Sequence, residues 1–233
     1  MPFSFRETPF ITNDFYTTIQ ILSDTLKTQF AIVEGDTITK KYSWLSDEGN
    51  ISEFHISQWH TIYSRPVDSV LQPMMYNSDN LFAEQSLLMV SNELLGAMND
   101  QKIIDTLLKT DFKDLPQKPR WVDGSGLSRY NLFTPQDFVF ILNKLKSDFG
   151  MERLKQLFPT GGTGSFKNYF LQDSGYFFAK TGSMSGVMNL SGYLYTRKKK
   201  LLLFSVLINN QQAPAATVRR AVEVFLQHIR KQY

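Results

Sequence analysis

Apolar positions in the chain recur with two different periods, and the change from one to the other divides it. Asn13 can cap a helix that carries Phe15, Ile19, Leu22 and Leu26 on one face at helical spacing. Residues 29–42 read as extended, with Gly35-Asp36 as a turn between Phe30-Ala31-Ile32-Val33 and Thr37-Ile38-Thr39. Ser64-Arg65-Pro66 predicts a helix start, followed by Val67, Val70, Leu71 and Met74, with Pro73 expected to kink or end it. A second helix is expected after Ser78-Asp79-Asn80. Its rows Leu81, Leu88, Leu95 and Leu87, Leu94, Met98 are broadly hydrophobic and predict burial.

Thr134-Pro135-Gln136-Asp137 has the cap, proline and acid of a strong helix start, with Phe138, Ile141, Leu142 and Leu145 as its apolar stripe and Gly150 as its stop. Met151 to Phe158 continues as a short helix up to Pro159. From Tyr176 the period falls to two. Tyr176 to Thr181, Val187 to Thr196 and Lys200 to Asn209 read as three strands joined by short turns. Pro214 then opens a last helix with Val218, Ala221, Val222, Phe225 and Ile229 on one side. The expected fold is α+β, with helices packed on an antiparallel sheet: a mainly helical region over about 60–170, and strands with a closing helix over about 171–233.

Composition narrows the function classes. Of 233 residues, 42% are hydrophobic, and 19 Phe and 10 Tyr make an ordered globule the expectation. A net charge of +3 from scattered basic residues is too weak to argue for nucleic acid. Arg197-Lys198-Lys199-Lys200 reads as a solvated hairpin tip rather than a binding patch. His55, His60 and His228, with no cysteine, leave little from which to build a metal site, and no cofactor is expected. No apolar run is long enough to span a bilayer. The first residues also lack the basic and apolar stretches of a secretion signal, which taken alone suggests a cytoplasmic protein.

Two short motifs carry the candidate chemistry. Ser78-Asp79-Asn80 lies at a helix start and Lys180-Thr181-Gly182 at a strand end, in the order and at the separation that characterise penicillin-binding proteins and class A β-lactamases. Singly, the first is also a run of good helix caps and the second an ordinary strand end with a turn glycine. Their neighbours are more specific. Tyr76 to Gln85, the segment Trp121-Val122-Asp123-Gly124-Ser125-Gly126-Leu127-Ser128-Arg129-Tyr130-Asn131, and Ala179 to Met184 followed by Leu190-Ser191-Gly192-Tyr193 all resemble the penicillin-binding protein 4 type D-alanyl-D-alanine carboxypeptidases, peptidase family S13. The resemblance runs from about Asn13 to the C-terminus.

This resemblance implies a β-lactamase/transpeptidase-like fold and acyl transfer on peptidoglycan stem peptides ending in D-Ala-D-Ala, with β-lactams as inhibitors and the cell envelope or periplasm as the place of action. It assigns Ser78, Asn80 and Lys180 to catalysis. Ser78 offers a hydroxyl to relay a proton, Asn80 an amide for the substrate peptide group, and Lys180, beside the Thr181 hydroxyl, a compact cation to grip the substrate's terminal carboxylate. Thr181, Gly182 and Ser183 become substrate-binding. Gly182 lets the substrate backbone approach, and the oxyanion-hole N–H lies near Ser183. Asp123-Gly124-Ser125-Gly126 is not a nucleophile elbow and reads as a tight structural loop. Gly161-Gly162-Thr163-Gly164 lacks a phosphate-binding lysine and reads as a flexible loop.

The family's nucleophile is missing from the pattern, because no serine in the chain has lysine three residues later. Thr37-Ile38-Thr39-Lys40 and Thr106-Leu107-Leu108-Lys109 have threonine instead and read as structural. The resemblance therefore implies the C-terminal part of a carboxypeptidase, with endopeptidase action as a second activity of the same site, whose Ser-x-x-Lys block lies upstream and whose sheet is incomplete at its N-terminal side. The alternative is a non-catalytic module that binds peptidoglycan peptides or a cell-wall partner. A class A β-lactamase fits less well, since the Asp123 segment resembles the carboxypeptidases.

Overall fold

The computed structural model describes residues 65–233 and the backbone of 32–33 and 41–42. The chain divides into two compact units, Met1–Tyr63 and Ser64–Tyr233. In the first, β1 (Ile32–Val33) pairs antiparallel with β2 (Lys41–Tyr42), Ile32 opposite Tyr42. The hairpin expected there is present, but its return pairing falls after Thr37–Thr39. The helix expected from Asn13 lies outside the described residues.

The second unit begins with three helices, α1 (Asp68–Asn77), α2 (Asn80–Leu95) and α3 (Asp100–Lys109). α1 runs through Pro73 instead of stopping there. None of its residues is buried, so solvent reaches a helix that has lost one backbone bond. Gly96 in the left-handed region ends α2, and the Asn99 side chain accepts from Lys102 N to start α3. The apolar rows of the sequence run on past Gly96 to Met98, whereas the structure starts a separate α3 whose Ile103 and Ile104 are fully buried against Leu87. The burial expected for α2 is also not what the structure shows. Only Leu87 and Ser91 are buried, while Leu81, Met89 and Leu94 are exposed.

Helix α4 (Pro135–Leu157) starts with a complete capping box. Asp137 N donates to Thr134 Oγ1 at 3.2 Å, and Thr134 N donates to Asp137 Oδ2 at 2.9 Å. The buried Asp137 also accepts from Gln117 N, at 3.1 Å. Gly150 (φ 73°) breaks the helical path where the sequence placed a stop, and the following turns continue to Leu157.

The sheet is β3 (Phe177–Met184), β4 (Val187–Tyr195) and β5 (Leu201–Asn209), antiparallel in that order, with Lys180 opposite Ser191 and Tyr195 opposite Leu201. Each face receives one helix. On one side, Phe178 and Tyr193 pack with Leu142, Leu154 and Leu157 of α4, and the Tyr193 hydroxyl donates to Leu142 O at 2.7 Å. On the other side, Phe177, Ala179, Met188 and Leu190 pack with Val222 and Leu226 of α5 (Ala215–Gln232) and with Phe166 and Phe170. α5 therefore presents Val222 and Leu226 inward, not the Ala221 and Phe225 of the expected stripe, and Phe225 is exposed. Alternation along β3 sends Lys180 and Gly182 to the α4 side and Thr181 and Ser183 to the α5 side. The Arg197–Lys200 tip is exposed.

Candidate active site

Ser78 is placed by two helix ends. It is the C-cap of α1, in the left-handed region (φ 55°, ψ 50°), and the next residue, Asp79, caps α2 by accepting from Phe82 N at 3.1 Å. A left-handed serine costs on the order of 1 kcal/mol, a strain found where surrounding structure fixes a side chain for use. Ser78 and Asn80 flank this cap and are exposed. α1 is itself tied to α4 by Arg153, whose Nη2 meets Asp68 Oδ1 at 2.6 Å and whose Nε meets Oδ2 at 3.1 Å. That fork holds the Asp68 carboxyl below its ordinary pKa.

The glycine-rich segment read as flexible is a packed support for the same corner. Gly164 lies so close to α1 that a Cβ there would come to 2.8 Å from Tyr76 O. Thr163 Oγ1 closes the turn by accepting from Thr160 N at 3.0 Å. Glycine was needed here for close approach, which composition alone does not distinguish from mobility.

Lys180 reaches this corner from the sheet. Its Nζ donates to Ser78 Oγ across 102 residues of sequence, and to Thr181 O at 2.9 Å. Burial lowers the pKa of Lys180. The Lys-Thr-Gly motif stands inside β3 rather than at its end, since the strand continues to Met184. Among the described residues β3 is an edge strand. Ala179 N points outward and donates to Pro159 O at 3.1 Å, so backbone alternation aims the N–H groups of Thr181 and Ser183 out of the same edge.

The structure thus brings Ser78 to Lys180 and lines one edge with Thr181, Gly182 and Ser183. The Asn80 side chain makes no hydrogen bond among the described residues.

A cleft of about 560 Å³ lies on the α4 side. Lys180, Thr181, Gly182 and Asn189 form one wall and the loop Asp123–Asn131 another, over apolar residues that include Ile141, Leu142 and Phe158. The loop is a network of side-chain caps. Asp123 accepts from Gly126 N and Ser128 N, both at 2.6 Å, and from Asn131 Nδ2 at 2.9 Å. Glu84 of α2 accepts from Gly124 N at 3.0 Å and from Ser125 N at 2.9 Å. A tight turn is what the sequence predicted. Two contacts were not foreseen: Arg129 Nη2 donates to Ser185 O at 3.0 Å, and Arg219 Nη2 of α5 donates to Ser183 Oγ at 3.0 Å. Arg129 lies within the Trp121–Asn131 segment, but nothing there signals its partner, and Arg219 carries no sequence signal.

Comparison with known proteins bears on what this arrangement is. The model of the D-Ala-D-Ala carboxypeptidase 3 (S13) family matches residues 55–229, three quarters of the chain. The chain belongs to that family. Among its relatives, carboxypeptidase DacB of Mycolicibacterium smegmatis is 26% identical over 206 residues, covering 83% of this chain and 43% of that protein. The D-alanyl-D-alanine carboxypeptidase of an Actinomadura species is 31% identical over 178 residues, covering 70% of this chain and 32% of that protein. The chain thus spans less than half the length of these relatives. Penicillin binding protein 4 of Haemophilus influenzae superposes with a TM-score of 0.63 at 23% identity, over 72% of this chain and 40% of that one. The TLA-1 β-lactamase superposes with a TM-score of 0.51 at 14% identity, over 70% of this chain and 62% of that one. The fold is the β-lactamase-like fold of the S13 proteins.

Proposed function

We propose that this chain supplies the proton-relay and substrate-edge part of a serine D-alanyl-D-alanine carboxypeptidase site that acts on peptidoglycan stem peptides in the cell envelope, with endopeptidase action on the same peptides within its reach. The observation that carries the reading is the Lys180–Ser78 contact, which joins the two family motifs at the mouth of a cleft. Lys180, with its proton affinity reduced by burial, passes a proton through the Ser78 hydroxyl toward the leaving amine. Asn80, exposed beside Ser78, holds the substrate peptide group. The outward N–H of Ser183 serves as an oxyanion donor, and Gly182 leaves room for the substrate backbone.

On this reading the nucleophile comes from a Ser-x-x-Lys block, which these 233 residues do not contain. The absence of that block from the sequence favours one second reading, a binding module for stem peptides without chemistry of its own. Benzylpenicillin tests the assignment by intact mass. The 233-residue chain is expected to stay unmodified, and a mass increase of one β-lactam would place the nucleophile within it and refute the reading.

A further inference from the structure

The hairpin tip between β4 and β5 carries four cations in a row. Arg197, Lys198, Lys199 and Lys200 are all exposed, and the sequence alone reads such a run as a solvated tip. The fold enlarges it. Arg197 N donates to Arg230 O at 3.0 Å and Lys198 Nζ donates to Gln232 O at 3.2 Å. These bonds seat the tip against the last turn of α5 and bring the exposed Lys231 to the same corner. Asp173 and Glu152, acids of adjoining elements, are already paired, with Arg230 at 3.2 Å and Lys155 at 2.7 Å. Among the described residues, none of these five cations has a carboxylate within ion-pair distance.

Two features go beyond the solvation of a turn. Lys199 stands in the left-handed region (φ 59°), at the hairpin position where glycine fits without strain. A lysine is held there at a conformational cost. Tyrosines border the cluster as well. Tyr233, 47% exposed, follows Gln232, and Tyr176, 50% exposed, lies 4.3 Å beneath the Arg230 guanidinium. Tyr195 N donates to Tyr176 O at 2.8 Å, which keeps that ring at the same end of the sheet. Cations mixed with half-exposed tyrosines suit a membrane interface, where headgroup charge meets apolar surface. All four tip side chains stand in solvent, so the tip fits a plane of headgroups and encloses no seat for a single small anion. The whole chain carries only +3, so an attraction of this kind is local to this corner.

We propose that the β4–β5 tip and the C-terminal turn of α5 form a docking surface for an anionic phospholipid membrane. The attachment is peripheral and electrostatic, and salt weakens it. About 17 Å of strand separates Thr196 from Ser191, the residue opposite Lys180, so the cleft lies away from the docked tip. This surface goes beyond the stem-peptide reading and does not depend on it.

Flotation of the full chain with lipid vesicles tests the surface. Wild type is expected to float with vesicles of equal parts phosphatidylglycerol and phosphatidylcholine at low salt, to be released as salt rises, and to stay behind with phosphatidylcholine alone. Each tip cation removed should weaken binding by about fivefold. Lys199→Gly separates charge from folding, because it relieves the left-handed backbone. It should bind about fivefold more weakly while melting no lower than wild type. Arg197→Gln, Lys199→Gly and Lys200→Gln together should weaken binding by about a hundredfold. Lys118→Gln, at an exposed lysine outside the tip, should bind as wild type does. Equal binding by wild type and the triple variant overturns the proposal, and so does an equal loss in Lys118→Gln and Lys199→Gly. Failure of wild type to float with the anionic vesicles overturns it too. Release by inorganic phosphate at constant ionic strength would make the corner a small-anion site and overturn the lipid reading.

Discussion

Removing Glu84 should loosen the loop that walls the cleft, by an amount the structure sets. Its two carboxylate oxygens accept from Gly124 N and Ser125 N at 3.0 and 2.9 Å. A hydrogen bond to a charged group contributes about 1.5–3 kcal/mol. Both bonds here are only partly buried, so water replaces some of what is lost, and Glu84→Ala is expected to cost about 2–3 kcal/mol in total. For a unit of this size each kcal/mol lowers Tm by about 2–4 °C, which gives a fall of roughly 4–12 °C. Asp123 still holds the other half of the loop through Gly126 and Ser128, so the loss should be local. Hydrogen exchange should speed at the Gly124 and Ser125 amides and not at Ser128. Glu93→Ala, an exposed acid further along α2, is the control and should stay within about 0.5 kcal/mol. A Glu84→Ala protein that melts with wild type, with unchanged exchange at Gly124, would refute the argument that this carboxylate anchors the loop.

Two glycines of the sheet should behave oppositely. A Cβ at Gly192 would stand 2.2 Å from Phe178 O and 2.5 Å from Ala179 Cβ, so Gly192→Ala must push β3 off β4 and should cost about 3 kcal/mol, lowering Tm by roughly 6–12 °C in thermal unfolding. At Gly182 the nearest atom is Asn189 Cβ at 3.6 Å, so Gly182→Ala should melt within about 2 °C of wild type yet weaken peptide binding at the strand edge severalfold. For Lys180→Met the test is pH. Burial lowers the pKa of Lys180, so between that lowered value and the ordinary lysine value of about 10.4 the unfolded chain binds more protons and wild-type stability rises with pH. The variant lacks this rise, and its stability relative to wild type should fall as pH climbs from the lowered value toward about 10. A constant difference across that range would contradict the buried-cation account.

Much of this was legible because local chemistry and global packing agree. The Thr134–Asp137 box, the kink at Gly150 and the three-stranded meander each announce themselves within a few residues. Family membership was legible too, because three separated segments match in order. What the sequence hid depends on packing. α3 was missed because the apolar rows of α2 run on past Gly96 and obscure the Asn99 cap. The exposure of Leu81 and Leu94 is invisible to periodicity, which reports a face but not what covers it. Pro73 should end a helix by its own chemistry, and α1 continues because nothing buries the freed carbonyl. The Gly161–Gly164 loop was misread for a similar reason. Ser78 and Lys180 could be paired only through the resemblance, and the Arg219–Ser183 contact had no sequence signal at all.

The central claim is that Ser78, Asn80 and the outer edge of β3 form a peptide-binding half-site in this chain. Its most direct test is an NMR titration of the isotope-labelled chain with an N-acylated D-Ala-D-Ala peptide. The account predicts amide shifts concentrated at Ser78, Asn80, Thr181 and Ser183, with the exposed tip at Arg197–Lys200 unmoved. Shifts confined to other surfaces, or none at a millimolar concentration of peptide, would contradict it.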